Sequence, residues 1–265
     1  MSVLRRVFHA LPPWTAPALR KAYCAVQGWG DARWVARTGC DFLPPAELRY
    51  HVGSVRPDDY ARIGQRCAED LGRALGAIGR DFRSFEHALD FGCGAGRTLA
   101  WLRDRGPRLA GTDLHAGGIE WARGRLGFAE FRVNGAAPPL DYRDATFDLV
   151  FSLSVLTHLD EGDQRAWLAE LRRVSRRGAI LLLSTHGPTC TADLSPAERA
   201  ALDERGFLAV PARGLWGVFE RYFNSYHLEA WVRRVWGESF TIRAYLPRGL
   251  NDHQDLYVLE HEPTP

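Results

Sequence analysis

The chain has 265 residues, 46% of them hydrophobic and 25% charged, with a formal net charge of +2. That content buries one sizeable core, or a core with a small accessory piece, and the interspersed arginines and acids form no charge block that demands a nucleic-acid partner. Five cysteines, Cys24, Cys40, Cys67, Cys93 and Cys190, stand far apart with no CxxC pair, which speaks against a zinc or redox centre and for a reducing cytoplasm.

The opening stretch, Met1 to Leu11, has two arginines but too short an apolar run for a secretory signal, and no later stretch is apolar enough to span a bilayer, so a cytoplasmic location is expected. It reads as a helix covering the core, with a membrane-resting amphipathic helix, and hence weak membrane association, as the alternative. Residues up to about Pro45 are rich in Trp, Pro and Arg without strand alternation, and 1–56 is expected to form an N-terminal cap of short helices and turns. The main domain is then 57–265. It opens with a helix from Pro57 to Gly79, in which Tyr60, Ile63, Cys67, Leu71, Leu75 and Ile78 recur every three or four residues.

Strand-like runs follow at Ala88 to Phe91, Arg108 to Asp113, Phe128 to Val133, Phe147 to Phe151 and Ala179 to Ser184, separated by amphipathic stretches. Alternation of this kind predicts a doubly wound α/β fold, a parallel sheet covered on both faces. The clearest intervening helix is Asp163 to Val174. After Ser184 the pattern breaks into an excursion, about 187–226, in which Ser195-Pro196-Ala197-Glu198 combines a capping box with proline at the first helical position, predicting a helix to about Glu204 that stops near Gly206. The excursion's aromatics, Phe207, Trp216, Phe219, Tyr222 and Phe223, are too many for a solvated loop; they either line a pocket or pack a lid, which with Leu43 to Ser54 is expected to close over a substrate. The chain ends in a helix, Leu228 to Val235, and strands Phe240 to Tyr245 and Asp255 to Leu259, whose short connection requires an antiparallel pair.

The strongest chemical signal is Leu89-Asp90-Phe91-Gly92-Cys93-Gly94-Ala95-Gly96, an acid and three alternating glycines where an apolar strand is expected to meet a helix. Glycine lets backbone approach a ligand closely. A dinucleotide fingerprint needs its third glycine three residues after the second, where Arg97 stands, so the loop suits an amino-acid moiety and a nucleoside instead. Asp113 closes the next strand, Gly111-Thr112-Asp113, at the carboxyl edge, where a carboxylate accepts hydrogen bonds from both hydroxyls of a ribose.

On these residues the sequence resembles the class I S-adenosylmethionine (SAM)-dependent methyltransferases. Asp90 to Gly96 is similar to their first motif and Asp113 to their ribose-binding acid. Pro139-Leu140 to Val150 is similar to their segment entering the fourth strand, and Glu170 to Leu182 to their following helix and fifth strand. The resemblance runs from about Tyr60 to Glu260. It implies a mostly parallel seven-stranded sheet with one antiparallel strand near its end, and SAM across the carboxyl edges of the first strands, with S-adenosylhomocysteine as product. The cofactor residues it implies are Asp90, Gly92, Cys93, Gly94 and Gly96, Asp113 with Leu114, the stretch Asn134-Gly135-Ala136 where relatives place an acid for adenine, and Ser152.

A sulfonium methyl is already electrophilic, so the protein mainly aligns an acceptor and excludes water, and a hydroxyl acceptor also needs a base. His158 follows the fourth strand, His186 the fifth, and His253 lies in the last turn. All three fall beyond carboxyl ends, where ligands bind. His158 is the expected general base, with His186 and His253 orienting the acceptor; a metal triad is disfavoured because none has a second ligand at helical spacing. The leading reading is methylation of a hydroxyl oxygen on a small metabolite, glycan or natural product. The alternatives are a nitrogen, carbon or sulfur acceptor, or a protein that binds SAM without turnover. Neither a basic stripe with interleaved aromatics nor an Asn-Pro-Pro-aromatic tetrad points to nucleic acid.

Overall fold

The computed structural model describes residues 16–211 and 223–262. The expected helix in Met1 to Leu11, and Trp216, Phe219 and Tyr222, lie outside the described residues. Two short helices come first among the described residues, α1 (Ala16–Gly28) and α2 (Asp31–Thr38), followed by a third, α3 (Ala46–His51). The long helix α4 (Pro57–Gly76) starts as its sequence dictates, with Pro57 in the first turn, Asp58 and Asp59 beside the positive end of the helix dipole and Arg73 in the last turn.

The main sheet contains β1 (His87–Phe91), β2 (Arg108–Asp113), β3 (Ala129–Val133), β4 (Phe147–Ser152), β5 (Ser175–Thr185), β8 (Thr241–Leu250) and β9 (Gln254–Glu260) in the spatial order β3-β2-β1-β4-β5-β9-β8. The first five are parallel, and β9 runs antiparallel to both neighbours. Helices α5 (Ala116–Arg125), α6 (Glu161–Val174) and α8 (Glu229–Trp236) complete the layers.

Successive residues of the central strands face opposite cores. Leu149 and Phe151 of β4, Leu182 of β5 and Val258 of β9 join Leu71, Leu75 and Ile119 on one side. Val150, Leu181, Leu183 and Leu259 join Trp167, Leu171 and Trp236 on the other. Each such leucine, fully buried, contributes about 2 kcal/mol. Strand order reverses between β1 and β4, so the carboxyl edge there opens into the crevice where ligands of such sheets bind.

Two expectations are corrected. The glycine loop is followed by turns and a short 3-10 stretch, Leu99–Trp101, rather than by a regular helix. Gly92, Gly94 and Gly96 all have positive φ, and right-handed helix does not propagate through such backbone. The excursion is also more regular than its pattern suggests. The capped helix α7 (Pro196–Arg205) ends at left-handed Gly206 and leads into β6 (Phe207–Pro211), which pairs antiparallel with β7 (Phe223–His227).

Candidate active site

The glycine loop is fastened to β2 by backbone. Gly92 and Cys93 both donate to Thr112 O, and Asp113 holds the loop through its carboxylate: Oδ2 accepts from Gly94 N at 2.8 Å and Oδ1 from His115 N at 2.7 Å. Each carboxylate oxygen keeps a further lone pair for a ligand. Space explains two of the glycines. A Cβ on Gly92 would stand 2.1 Å from Val155 Cγ2, and one on Gly96 2.5 Å from Leu126 Cδ1.

Asp90 is buried at the end of β1, and burial together with the charge of Asp113 pushes its carboxyl well above the usual range. Burial and the neighbouring Asp90 likewise push the Cys93 thiol up. Two carboxylates near one loop, partly offset by Arg97, suit a ligand bearing positive charge, as SAM does on its ammonium and sulfonium. Leu114 is exposed beside Asp113, an apolar surface ready for a flat ring. These residues therefore fit the cofactor.

Asn134 Oδ1 accepts from the Thr112 hydroxyl and its Nδ2 donates to Gly135 O, which folds the side chain along the strand end; Gly135 and Ala136 follow in the open. Ser152 is fully buried, its hydroxyl spent on Phe91 O, so it holds the end of β1. The segment Leu43 to Ser54, expected to close over a substrate, lies against the glycine loop through 51–54. Val52 Cγ1 lies 3.4 Å from where a Gly94 Cβ would be, Arg97 Nη1 donates to Ser54 Oγ at 3.1 Å, and the His51 ring sits 4.3 Å from that of His115, which caps α5 by accepting from Gly118 N. No pattern in Leu43 to Ser54 marks these contacts.

The three histidines meet. The His186 ring lies 6.2 Å from that of His158 and 6.3 Å from that of His253, with Tyr226 5.7 Å away. His158 sits in the 3-10 stretch Leu156–His158, which starts beside Val155, the residue packed on Gly92. Its Nδ1 is 2.9 Å from Phe223 O; a carbonyl only accepts, so Nδ1 carries the proton and Nε2 is the basic nitrogen. Burial lowers the pKa of His158, opposed by that hydrogen bond. Burial and the two neighbouring histidines drive His186 to about 4, and its Nδ1 has no hydrogen-bond partner among the described residues. His253 Nε2 is 3.6 Å from Cys190 Sγ.

One serine ties the histidine-bearing turns together. Ser154, at φ 60°, donates its N–H to Ser184 Oγ and its hydroxyl to Gln254 Oε1. These partners lie two residues before His186 and one after His253. Asp255 reinforces the turns from below, accepting from Tyr245 OH and Arg248 N and packing so close to Gly187 that a Cβ there would stand 1.9 Å from Oδ2. Phe207 stacks on Trp231, so this aromatic packs the excursion onto the core instead of lining the cluster. Among the described residues no group of three or more His, Cys, Asp or Glu is arranged to hold a metal ion.

Residues 89–183 match the family model of a methyltransferase domain. Residues 89–183 carry a methyltransferase domain, within a sheet that has the fold of SAM-dependent methyltransferases. Malonyl-(acyl-carrier protein) O-methyltransferase of Serratia marcescens is 34% identical over 136 residues, 51% of this chain and 52% of that protein. The chain spans about half the length of the curated relatives it matches. A SAM-dependent methyltransferase of Methanosarcina mazei shares the fold with a TM-score of 0.53 at 22% identity, covering 68% of this chain and 93% of that one. A glycopeptide N-methyltransferase complexed with SAM gives 0.51 at 17% identity, covering 76% and 94%. The seven-stranded sheet, in the order β3-β2-β1-β4-β5-β9-β8, thus belongs to a fold shared with SAM-dependent methyltransferases.

Proposed function

We propose that the chain methylates a hydroxyl oxygen of a small metabolite, glycan or natural product, with His158 as general base. The observation that carries this reading is the meeting of His158, His186 and His253 beside the glycine loop. Bound SAM supplies an electrophilic methyl group. The glycine loop, Asp90 and Asp113 hold it, while 51–54 cover the loop and exclude water.

The acceptor enters among the three histidines. Burial keeps His158 and His186 neutral at neutral pH, so they receive hydrogen bonds instead of repelling a polar acceptor. His158 Nε2 takes the hydroxyl proton, its ring held by the Phe223 carbonyl. His186, at about 4, is too weak a base for that task and serves better as an orienting group. Relatives named as O-methyltransferases support the oxygen acceptor. A relative named ajmaline N-methyltransferase keeps a nitrogen acceptor as the second reading.

The test is a metabolite extract incubated with methyl-labelled SAM. The expected products carry the label on oxygen by mass spectrometry, and S-adenosylhomocysteine accumulates. Label on nitrogen would favour the second reading, and no release of S-adenosylhomocysteine would leave a SAM-binding protein without turnover.

A further inference from the structure

Helices α1 and α2 present a surface that the methyltransferase domain does not use. Trp29, in the turn between them, is 93% exposed and Val26 is 69% exposed, while no residue of α2 is buried. Exposure of this degree strands a large aromatic in water. Arg33 and Arg37 follow it on α2, both exposed, and neither makes an ion pair among the described residues. Arg33 and Arg37 are four residues apart on one helix, hence on the same face.

The charge is not answered locally. Between residues 16 and 39 the sole acid is Asp31, and both its oxygens are taken by the guanidinium of fully buried Arg49. Asp58 is the next acid in this region with a contact to α2, where it accepts from Trp34 Nε1. The Arg49 clamp also fixes the patch. Its guanidinium donates to Pro44 O and Val55 O as well, so α2 is locked to α3 and the exposed face is preformed.

We propose that this face docks the protein on an anionic lipid surface, with Trp29 and Val26 entering the headgroup layer and Arg33 and Arg37 facing the acidic headgroups. A protruding indole followed by two cations on one helix face matches what interfaces select: Trp is stable at headgroup depth, and each nearby Arg adds electrostatic attraction. Among the described residues no helix is long and apolar enough to cross a membrane, so contact at this face is peripheral. Docking brings α3 and the mouth of the glycine loop close to the lipid, since Tyr23 of α1 packs on Tyr50 of α3 at 6.4 Å.

The experiment is cosedimentation of the full chain with vesicles of phosphatidylcholine alone and of phosphatidylcholine mixed with phosphatidylglycerol, at low and high salt. Binding is expected only to the mixed vesicles and is expected to fade with salt. The double variant Arg33→Ala, Arg37→Ala should bind about 30-fold more weakly. Trp29→Ala should weaken binding even at low salt. SAM affinity, measured in parallel, should be the same in all variants, which shows that they fold. Equal binding to both vesicle types, or unchanged binding by the double variant, would overturn the proposal. So would concentration-dependent dimerisation abolished by Trp29→Ala, or charge-dependent capture of polyglutamate without vesicle binding, since a second copy or an acidic protein would then be the occupant.

Discussion

The two halves of the carboxyl edge are built in different ways. The cofactor half is made of backbone groups over short distances: Gly94 and Asp113 are 19 residues apart, and Gly92, Cys93, Gly94 and His115 each donate a main-chain N–H to that strand end. The acceptor half is made of side chains from distant turns, joined by Ser154 to partners 30 and 100 residues away. A half that relies on the main chain requires glycine and one acid and tolerates few substitutions. A half that relies on side chains changes its chemistry whenever one of those side chains changes.

The sharpest way to test that division is to delete the proposed base. His158→Ala should lower kcat by about two to four orders of magnitude while the dissociation constant for SAM, read by calorimetry, stays where it was. Full activity in this variant would remove His158 from the mechanism. The converse is Asp113→Ala, which removes two tethers of the loop along with the proposed ribose acceptor. SAM affinity should fall about 100-fold, as expected for losing charge-assisted hydrogen bonds, and unchanged affinity in the folded variant would break the assignment of the cofactor half.

Acid should separate the halves as well. His227, fully buried beneath the histidine cluster, is driven by burial to about 3, and His186 to about 4, each from 6.5. Both folded values are depressed, so the stability they contribute is complete above about pH 6.5 and is lost as pH falls towards the folded values. By about pH 5 each costs about 2 kcal/mol. Denaturant titrations at the two pH values should show the loss, and His227→Gln should lose less between them than the native chain. Smallest is Ser154→Ala. Without the hydroxyl bond to Gln254 the turns are less well held, and kcat should drop about tenfold with SAM affinity unaltered. In the background of His158→Ala the same change should add little, because the group it positions is gone.

Legibility followed the same division. Apolar runs such as Leu149-Val150-Phe151 and Leu181-Leu182-Leu183 read as strands because burial on both faces leaves no room for polar alternation. The cap of α7 read correctly because Ser195 and Glu198 satisfy it locally. The three histidines reach one edge because the topology of a parallel sheet sends every strand end there. What stayed hidden depends on tertiary approach. Phe207-Leu208-Ala209-Val210 forms a strand only because β7 returns to pair with it. Ser154 matters through a left-handed backbone and a partner 100 residues on, neither of which has a local signature. The helix expected after Gly96 fails because the strand-to-helix pattern does not reveal that all three glycines are used at positive φ.

The cover formed by 51–54 bears on the catalytic cycle. Val52 lies on Gly94, and Ser54 is hydrogen-bonded to Arg97, so a molecule sliding into or out of the loop must part both contacts. On the proposed function, loading and discharge are expected to be conformational steps, separate in time from bond making. Rapid-quench experiments with SAM and acceptor in excess over enzyme should show a burst of methylated product ahead of the steady rate. Ser54→Ala, which loosens the cover, should raise the steady rate and shrink the burst.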